Sequence, residues 1–293
     1  MSRSEHLVTA RALRRELAGA RPPVLLDVGW RLGEARGAGR QRYAEAHLPG
    51  ARFLDLETVL TTPSADPGAG RHPLPPVEVL ERGLGALGVQ AGDDVVVYDE
   101  AGSFAAPRAW WVLRWAGIRA RVLDGGRAAW AESWAESGVD WDRGAGWESG
   151  EDVTWTATAP RLTTGQLPTL TLDDAALHPG RGMLVDVRAP ERYRGEVEPL
   201  DPQAGHIPGA VNLPVGGLIG PTGALLPEAG LRSALGGLVD SRDVAAYCGS
   251  GVSATLTVLA FATLGVEAAL FPGSWSAWSS DPARPVATGP DAG

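Results

Sequence analysis

The chain contains a single thiol, Cys248, in the stretch AAYCGSGVSATL at residues 245–256. A short aliphatic run ends at the cysteine. Five residues of little bulk follow, Gly249-Ser250-Gly251-Val252-Ser253, and an apolar stretch of helical character begins near Ala254. That order suits nucleophilic chemistry. A small-residue loop can curl so that several N–H groups turn inward, and a helix N-terminus adds its partial positive charge. An anion at the sulfur is stabilised there, and the same field lowers a thiol pKa by one to several units from ~8.5. No histidine lies within several residues of Cys248, so loop and dipole are the natural activators. Two alternatives stand beside this reading. Free cysteines are among the most buried residue types, so a spectator role is open. A cysteine phosphatase also cradles an anion over a thiolate, but it closes the loop with an arginine clamp. Here Val252-Ser253-Ala254-Thr255 fill that region without an arginine, and the loop is short for a phosphoryl group.

The elements that must position Cys248 occur twice. VLLDVGWRL (24–32) is similar to MLVDVRAPERY (183–193), and AHLPGARFLDL (46–56) to GHIPGAVNLPV (205–215). DDVVVYDEAGSFAAPRAWWVLRWAG (93–117) pairs with RDVAAYCGSGVSATLTVLAFATLG (242–265), and LDGGRAAW (123–130) with FPGSWSAW (271–278). Four blocks in one order indicate duplication. Asp99 stands where the second copy has Cys248, as expected when one domain is catalytic and its twin is scaffold. His47 and His206 each occur once in a repeated H-(L/I)-P-G-A turn, which argues for folding and against a metal. Aliphatic runs at 24–28, 95–98, 184–187 and 244–247 suit parallel strands buried on both faces. Helical stretches at 106–116 and 254–264 lie between them, with Gly265 placed as a C-cap. The pattern predicts an α/β protein of two tandem domains, each a mostly parallel sheet flanked by helices. The N-terminal domain is expected at 1–145, a polar, aperiodic linker at 146–160 and the catalytic domain at 161–293.

At 293 residues the chain is long enough for two separate cores. With 26 Lys and Arg against 35 Asp and Glu, its formal charge of −9 argues against nucleic acid or an anionic membrane as partner. One cysteine excludes a disulfide framework and a cysteine-based zinc site, and fits a reducing cytoplasm. The opening MSRSEHLVTARALRRELAG lacks an apolar signal region and reads as a helix with Leu13 and Leu17 on one face. No run approaches the ~20 apolar residues of a membrane span.

The paired HLPGA and HIPGA turns, the DVR, the YCGSGVSA loop and FPGSWSAW together resemble the two-domain rhodanese-type sulfurtransferases, over roughly Leu7 to Arg284. That family comprises thiosulfate sulfurtransferases and 3-mercaptopyruvate sulfurtransferases. The resemblance implies two tandem rhodanese-like domains and a two-step transfer. The Cys248 thiolate takes a sulfur atom from a small-molecule donor and becomes a persulfide. An acceptor such as cyanide, a small thiol or a reduced dithiol protein then removes it. No cofactor beyond the transient persulfide is implied. In thiosulfate-specific members the two residues after the cysteine are typically basic, whereas mercaptopyruvate members have Gly-Ser, as Gly249-Ser250 are here. The resemblance also implies a proton relay of Ser250, His72 in RHPLP, and Glu57 in FLDLE, where the family more often has Asp. Asp55 is an alternative acid, and His72 reads equally as a turn histidine beside Pro73. Arg192 matches a substrate-binding arginine suited to a donor carboxylate. The loop residues Gly249, Gly251, Val252 and Ser253 are counted with it. Arg188 is counted there too, with a structural ion pair as its other reading. A second arginine expected shortly after Arg192 is missing from EVEPLDPQAG, where Asp201 is nearest. This leaves thiosulfate open as donor, and a non-catalytic persulfide carrier as a function of another class. Trp275 and Trp278 read as core or as walls of the site. Arg108 reads as a helix-surface residue or as the partner of a carboxylate in the other domain.

Overall fold

The computed structural model describes residues 2–135, 146–150, 154–241 and 243–293. The expected boundary at 145 and residues 151–153 of the expected linker lie outside the described residues. The N-terminal half runs β1 (Leu7–Val8), α1 (Ala10–Leu17), β2 (Val24–Asp27), α2 (Ala38–Glu45), β3 (Arg52–Phe53), α3 (Val77–Ala86), β4 (Asp94–Tyr98), α4 (Ala105–Trp115), β5 (Arg119–Leu123) and α5 (Gly126–Ala135). The C-terminal half runs α6 (Leu172–Leu177), β6 (Met183–Asp186), α7 (Pro190–Tyr193), β7 (Val211–Asn212), α8 (Glu228–Leu235), β8 (Val244–Tyr247), α9 (Ala254–Thr263), β9 (Ala268–Leu270) and α10 (Ser274–Trp278).

Each half carries a parallel sheet. The strand orders are β1-β5-β4-β2-β3 and β7-β6-β8-β9, so β9-β8-β6-β7 repeats β5-β4-β2-β3. The position of β1 is taken in the second half by Thr169, through one parallel bridge to Leu270. Strands β4 and β8 are central, and their VVVY and VAAY runs are buried on both faces, as parallel strands under helices must be. The repeated histidines hold the turns. The Nδ1 atoms of His47 and His206 lie 2.8 Å from the carbonyls of Tyr43 and Tyr193, and the rings stack on those tyrosines at 3.9 and 3.7 Å. Tyr98 and Tyr247 accept the N–H groups of Leu48 and Ile207 in the same turns.

The expectation of two separate cores is corrected. Helix α9, ATLTVLAFAT, has no charged residue and is buried nearly all round. Helix α4 buries everything from Ala105 to Leu113. A helix that is apolar on all sides cannot face water. The two pack together, and one contiguous apolar cluster joins Trp110, Trp111 and Leu113 of the first half to Val252, Leu256 and Leu259 of the second. Smaller clusters lie on the outer faces of the sheets. Among the described residues no helix is long and apolar enough to cross a membrane.

Candidate active site

Cys248 follows the last residue of β8, at the carboxyl end of the sheet where parallel α/β folds bind their ligands. It is 2% exposed. Burial by itself would push its thiol up. The hydroxyl of Ser253 and the N–H groups of Ser250, Ala254 and Gly251 oppose this, and the thiol is held below its ordinary value. Gly251 N lies 3.1 Å from the sulfur. Gly251 sits at φ +79°, and a Cβ there would come within 2.3 Å of the Pro272 carbonyl. The turn that aims this N–H therefore requires glycine. The Val252 side chain, counted above with the donor-binding loop, instead turns into the core, and its carbonyl accepts from Thr255 at the start of α9.

The base of the loop is fixed from α10. Ser274 has the left-handed φ of +54°, a conformation that costs a non-glycine residue of order 1–3 kcal/mol. Its Oγ accepts the N–H of Cys248 at 3.1 Å and donates to the Phe271 carbonyl at 3.0 Å. The carbonyls of Cys248 and Gly249 accept from Trp275 N and Ser276 N, each at 2.9 Å. The possibility that Trp275 and Trp278 wall the site is not realised, because both indoles lie in the outer core of the second sheet.

Two guanidinium groups flank Gly249, one from each half of the chain. A Cβ on Gly249 would lie 3.2 Å from Arg71 Nη2 and 3.3 Å from Arg192 Nη1. Arg192 donates to Glu198 at 2.6 Å and to Asp201 at 3.3 Å, and Arg71 pairs with the other oxygen of Asp201. Both carboxylates are nearly buried. Asp201 thus ties to Arg192 a second arginine from across the interface. Sequence reasoning missed Arg71, although it stands directly before His72. Arg188, counted above among the substrate-binding residues, belongs to the scaffold. Its donors are taken by Asp186 at 2.6–3.0 Å, by Glu198 at 3.3 Å and by the Gly205 carbonyl at 2.6 Å.

Of the expected relay residues, Glu57 and His72 share one cleft, and no hydrogen bond joins Ser250, His72 and Glu57 among the described residues. His72 is neutral at neutral pH: burial, then Arg108 and Arg71, push its imidazole down to about 4. Its Nδ1 is buried without a partner among the described residues, and its ring meets Trp30 edge-on at 5.3 Å. Glu57 accepts from Trp30 Nε1 at 3.4 Å and lies 3.5 Å from Arg36. Asp55 caps the backbone N–H groups of Glu57 and Thr58. Trp30, Glu57, Arg71, His72 and Asp201 line a cleft of about 700 Å³ that opens to the surface. Arg108 also departs from expectation. It is fully buried at the interface and meets backbone carbonyls, among them that of Gly251 at 3.0 Å, in place of a carboxylate.

Comparison with known proteins gives a consistent answer. The family described as "Rhodanese-like domain" matches residues 9–133 and 171–281. A Mycobacterium tuberculosis protein named "Putative thiosulfate sulfurtransferase SseB" is 42% identical over 98% of this chain and 99% of its own. A Pseudomonas aeruginosa protein named "Probable 3-mercaptopyruvate sulfurtransferase" is 41% identical over 98% of this chain and 99% of its own. Among solved structures, Escherichia coli SseA, described as a 3-mercaptopyruvate sulfotransferase of the rhodanese fold, superposes with a TM-score of 0.75. It is 29% identical over 92% of this chain and 98% of that one.

Proposed function

The chain belongs to the rhodanese-like family and is a sulfurtransferase, and from that premise we propose that Cys248 carries sulfur from 3-mercaptopyruvate to a thiophilic acceptor. One observation carries the choice of donor: Arg71 and Arg192 converge on Gly249, and Glu198 and Asp201 offset their charge. The pair offers forked donors to one carboxylate. Its net charge is near zero, which suits a monoanionic donor better than a dianion such as thiosulfate. A basic side chain at position 249 would also be pressed against two guanidinium groups. Gly249 and Ser250 leave room for the three-carbon donor.

In the first step the Cys248 thiolate attacks the donor's sulfur. The S–S bond forms, the C–S bond breaks, and the electron pair leaves as the enolate of pyruvate, which then takes up a proton. The loop N–H groups hold the resulting persulfide, in the manner of an oxyanion hole turned toward sulfur. In the second step cyanide or a thiol attacks the outer sulfur, and the Cys248 thiolate is released. A reduced dithiol protein is the same acceptor in macromolecular form. Ser250 and His72 border the site where the enolate is protonated. Because His72 is uncharged, it serves as a hydrogen-bond partner and not as a cation. Cys248 must stay reduced between turnovers, which places the reaction in a reducing compartment such as the cytoplasm. The test is thiocyanate formation with 3-mercaptopyruvate and with thiosulfate, side by side. A kcat/KM that favours 3-mercaptopyruvate at least tenfold supports the assignment, and a preference for thiosulfate refutes it.

A further inference from the structure

Two arginines are buried among the described residues, and their surroundings are opposite. Arg188 is neutralised by Asp186 and Glu198. Arg108, on α4 of the domain without the thiol, is 0% exposed and has no carboxylate partner among the described residues. Its Nη1 donates to the Gly251 carbonyl at 3.0 Å, and its Nη2 to the carbonyls of Leu60 at 3.2 Å and His72 at 3.0 Å. Its Nε has no partner among the described residues. Carbonyl dipoles solvate a buried cation without neutralising it, and an uncompensated buried charge is costly.

The groups facing this region can be named from every side. Helix α4 brings Arg108, and the segment ahead of α3 brings Arg71 and His72. Helix α7 brings Arg192, and the segment behind it brings Glu198 and Asp201. Helices α9 and α10 bring no charged residue. The two carboxylates are held by Arg71, Arg188 and Arg192. The neutral His72 supplies no negative charge. The anion left to face Arg108 is the sulfur of Cys248, reached through Gly251, whose N–H points at the sulfur while its carbonyl is held by Arg108.

We propose that Arg108 is a positioning residue for the nucleophile: by clamping Gly251 and supplying the counter-charge from the opposite domain, it keeps Cys248 as a thiolate. The inference rests on the reading of Cys248 as the nucleophile. It also gives the thiol-free domain a role in the chemistry, since loss of interdomain docking would take Arg108 away from the nucleophile loop. Burial pushes the Arg108 guanidinium down to about 10 while Cys248 pulls it back up, in accord with mutual attraction.

The test is the pH dependence of iodoacetamide alkylation of Cys248 in the wild type, Arg108→Gln and Arg108→Lys. Gln keeps N–H donors without charge, and Lys keeps the charge without the fork. The expected result is a midpoint about one pH unit or more higher in Arg108→Gln, equivalent to a tenfold slower reaction below the wild-type midpoint. Arg108→Lys should stay near the wild type. A folded Arg108→Gln with the wild-type midpoint overturns the proposal, as does an equal shift in Arg108→Lys. Where Arg108→Gln does not fold, the melting temperatures of wild type and Cys248→Ser are compared across pH. A thiol held low contributes stability above its unfolded pKa, and that stability is lost as pH falls through the folded value. The gap between the two proteins should therefore widen as pH rises, and Arg108→Lys should preserve the widening. A wild-type gap that stays flat with pH refutes the nucleophile reading, whereas a wild-type gap that widens beside an Arg108→Lys gap that stays flat overturns the proposal. A wild-type midpoint at the ordinary thiol value would instead refute the nucleophile reading, a separate outcome.

Discussion

The loops after β4 and β8 begin alike and end in different chemistry. In both, the strand stops at a tyrosine paired with an aspartate of the neighbouring strand, Asp27 with Tyr98 and Asp186 with Tyr247. In both, the next residue's carbonyl accepts a backbone N–H from the closing segment, Arg127 on Asp99 and Trp275 on Cys248. The residue before that donor has a left-handed φ in each, Gly126 at +53° and Ser274 at +54°. What differs is the group presented to the helix. Asp99 accepts Ala106 N at 2.9 Å, yet burial pushes its carboxyl up to about 7. Cys248, more deeply enclosed, is held below its ordinary value by Ser253 and three N–H groups. Beside Asp99 stands Glu100, paired with Arg31 and Arg42, whereas beside Cys248 stands Gly249, open to two arginines. One scaffold therefore serves as a structural plug in one copy and an anion site in the other. Both groups receive a serine hydroxyl and backbone N–H groups, so the group presented and the absence of a side chain at position 249 make the difference.

Changes that erase this contrast should act in a graded order. Gly251→Ala should act most strongly, because the added Cβ meets the Pro272 carbonyl and the φ is left-handed. Loss of one aimed N–H costs about 10²–10³ in rate, alongside about 1–3 kcal/mol of stability. Steady-state kinetics and chemical denaturation measure the two. Arg192→Ala should cut kcat/KM for 3-mercaptopyruvate by about 10- to 100-fold, the scale of a lost charge-assisted contact. An unchanged value removes Arg192 from donor binding. Ser274→Ala should cost about 1 kcal/mol from the hydrogen bond to Cys248 N, while Ser274→Gly recovers part of it by relieving the backbone. Urea unfolding of the pair separates the two contributions. An effect of a different kind, one that depends on pH, is expected at Asp99. Its carboxyl, raised from 3.8 to about 7, contributes stability below pH ~4 that is lost as pH rises through about 7. Asp99→Asn should therefore gain in melting temperature relative to wild type as pH rises from about 4 to about 7. A constant difference would show that Asp99 titrates normally.

The chain announced its architecture because its constraints are local and doubled. Val95–Tyr98 and Val244–Tyr247 read as buried strands from their composition, and the HLPGA and HIPGA turns marked the repeat. Small residues after Cys248 disclosed the anion loop for the same reason, since only a loop with little bulk can turn its N–H groups inward. What could not be read is what the domain interface decides. Arg71 stands beside His72 in sequence but carried no signal of its own, and Asp201, far along the chain, ties it into the site. Arg108 read as a surface helix residue or as the partner of a carboxylate in the other domain, because its partners are carbonyls, which leave no trace in side-chain types. At Arg188 the ion-pair reading is the one the structure bears out. An arginine two residues after a strand-end aspartate can fold back on that aspartate, and here it does. A trace of Ser274 was present, since its twin in the other domain is Gly126, and a non-glycine at such a position points to a side chain with a task.

The central claim is that the domains divide the labour, with sulfur carried on Cys248 alone. The most direct measurement is intact-protein and peptide mass spectrometry after brief exposure to 3-mercaptopyruvate, followed by cyanide, on the wild type and Cys248→Ser. The account predicts one added sulfur atom on the Cys248 peptide, its loss to thiocyanate on adding cyanide, and neither event in Cys248→Ser. Thiocyanate formation that persists in Cys248→Ser, or a wild type that turns over without ever carrying sulfur on Cys248, would contradict it.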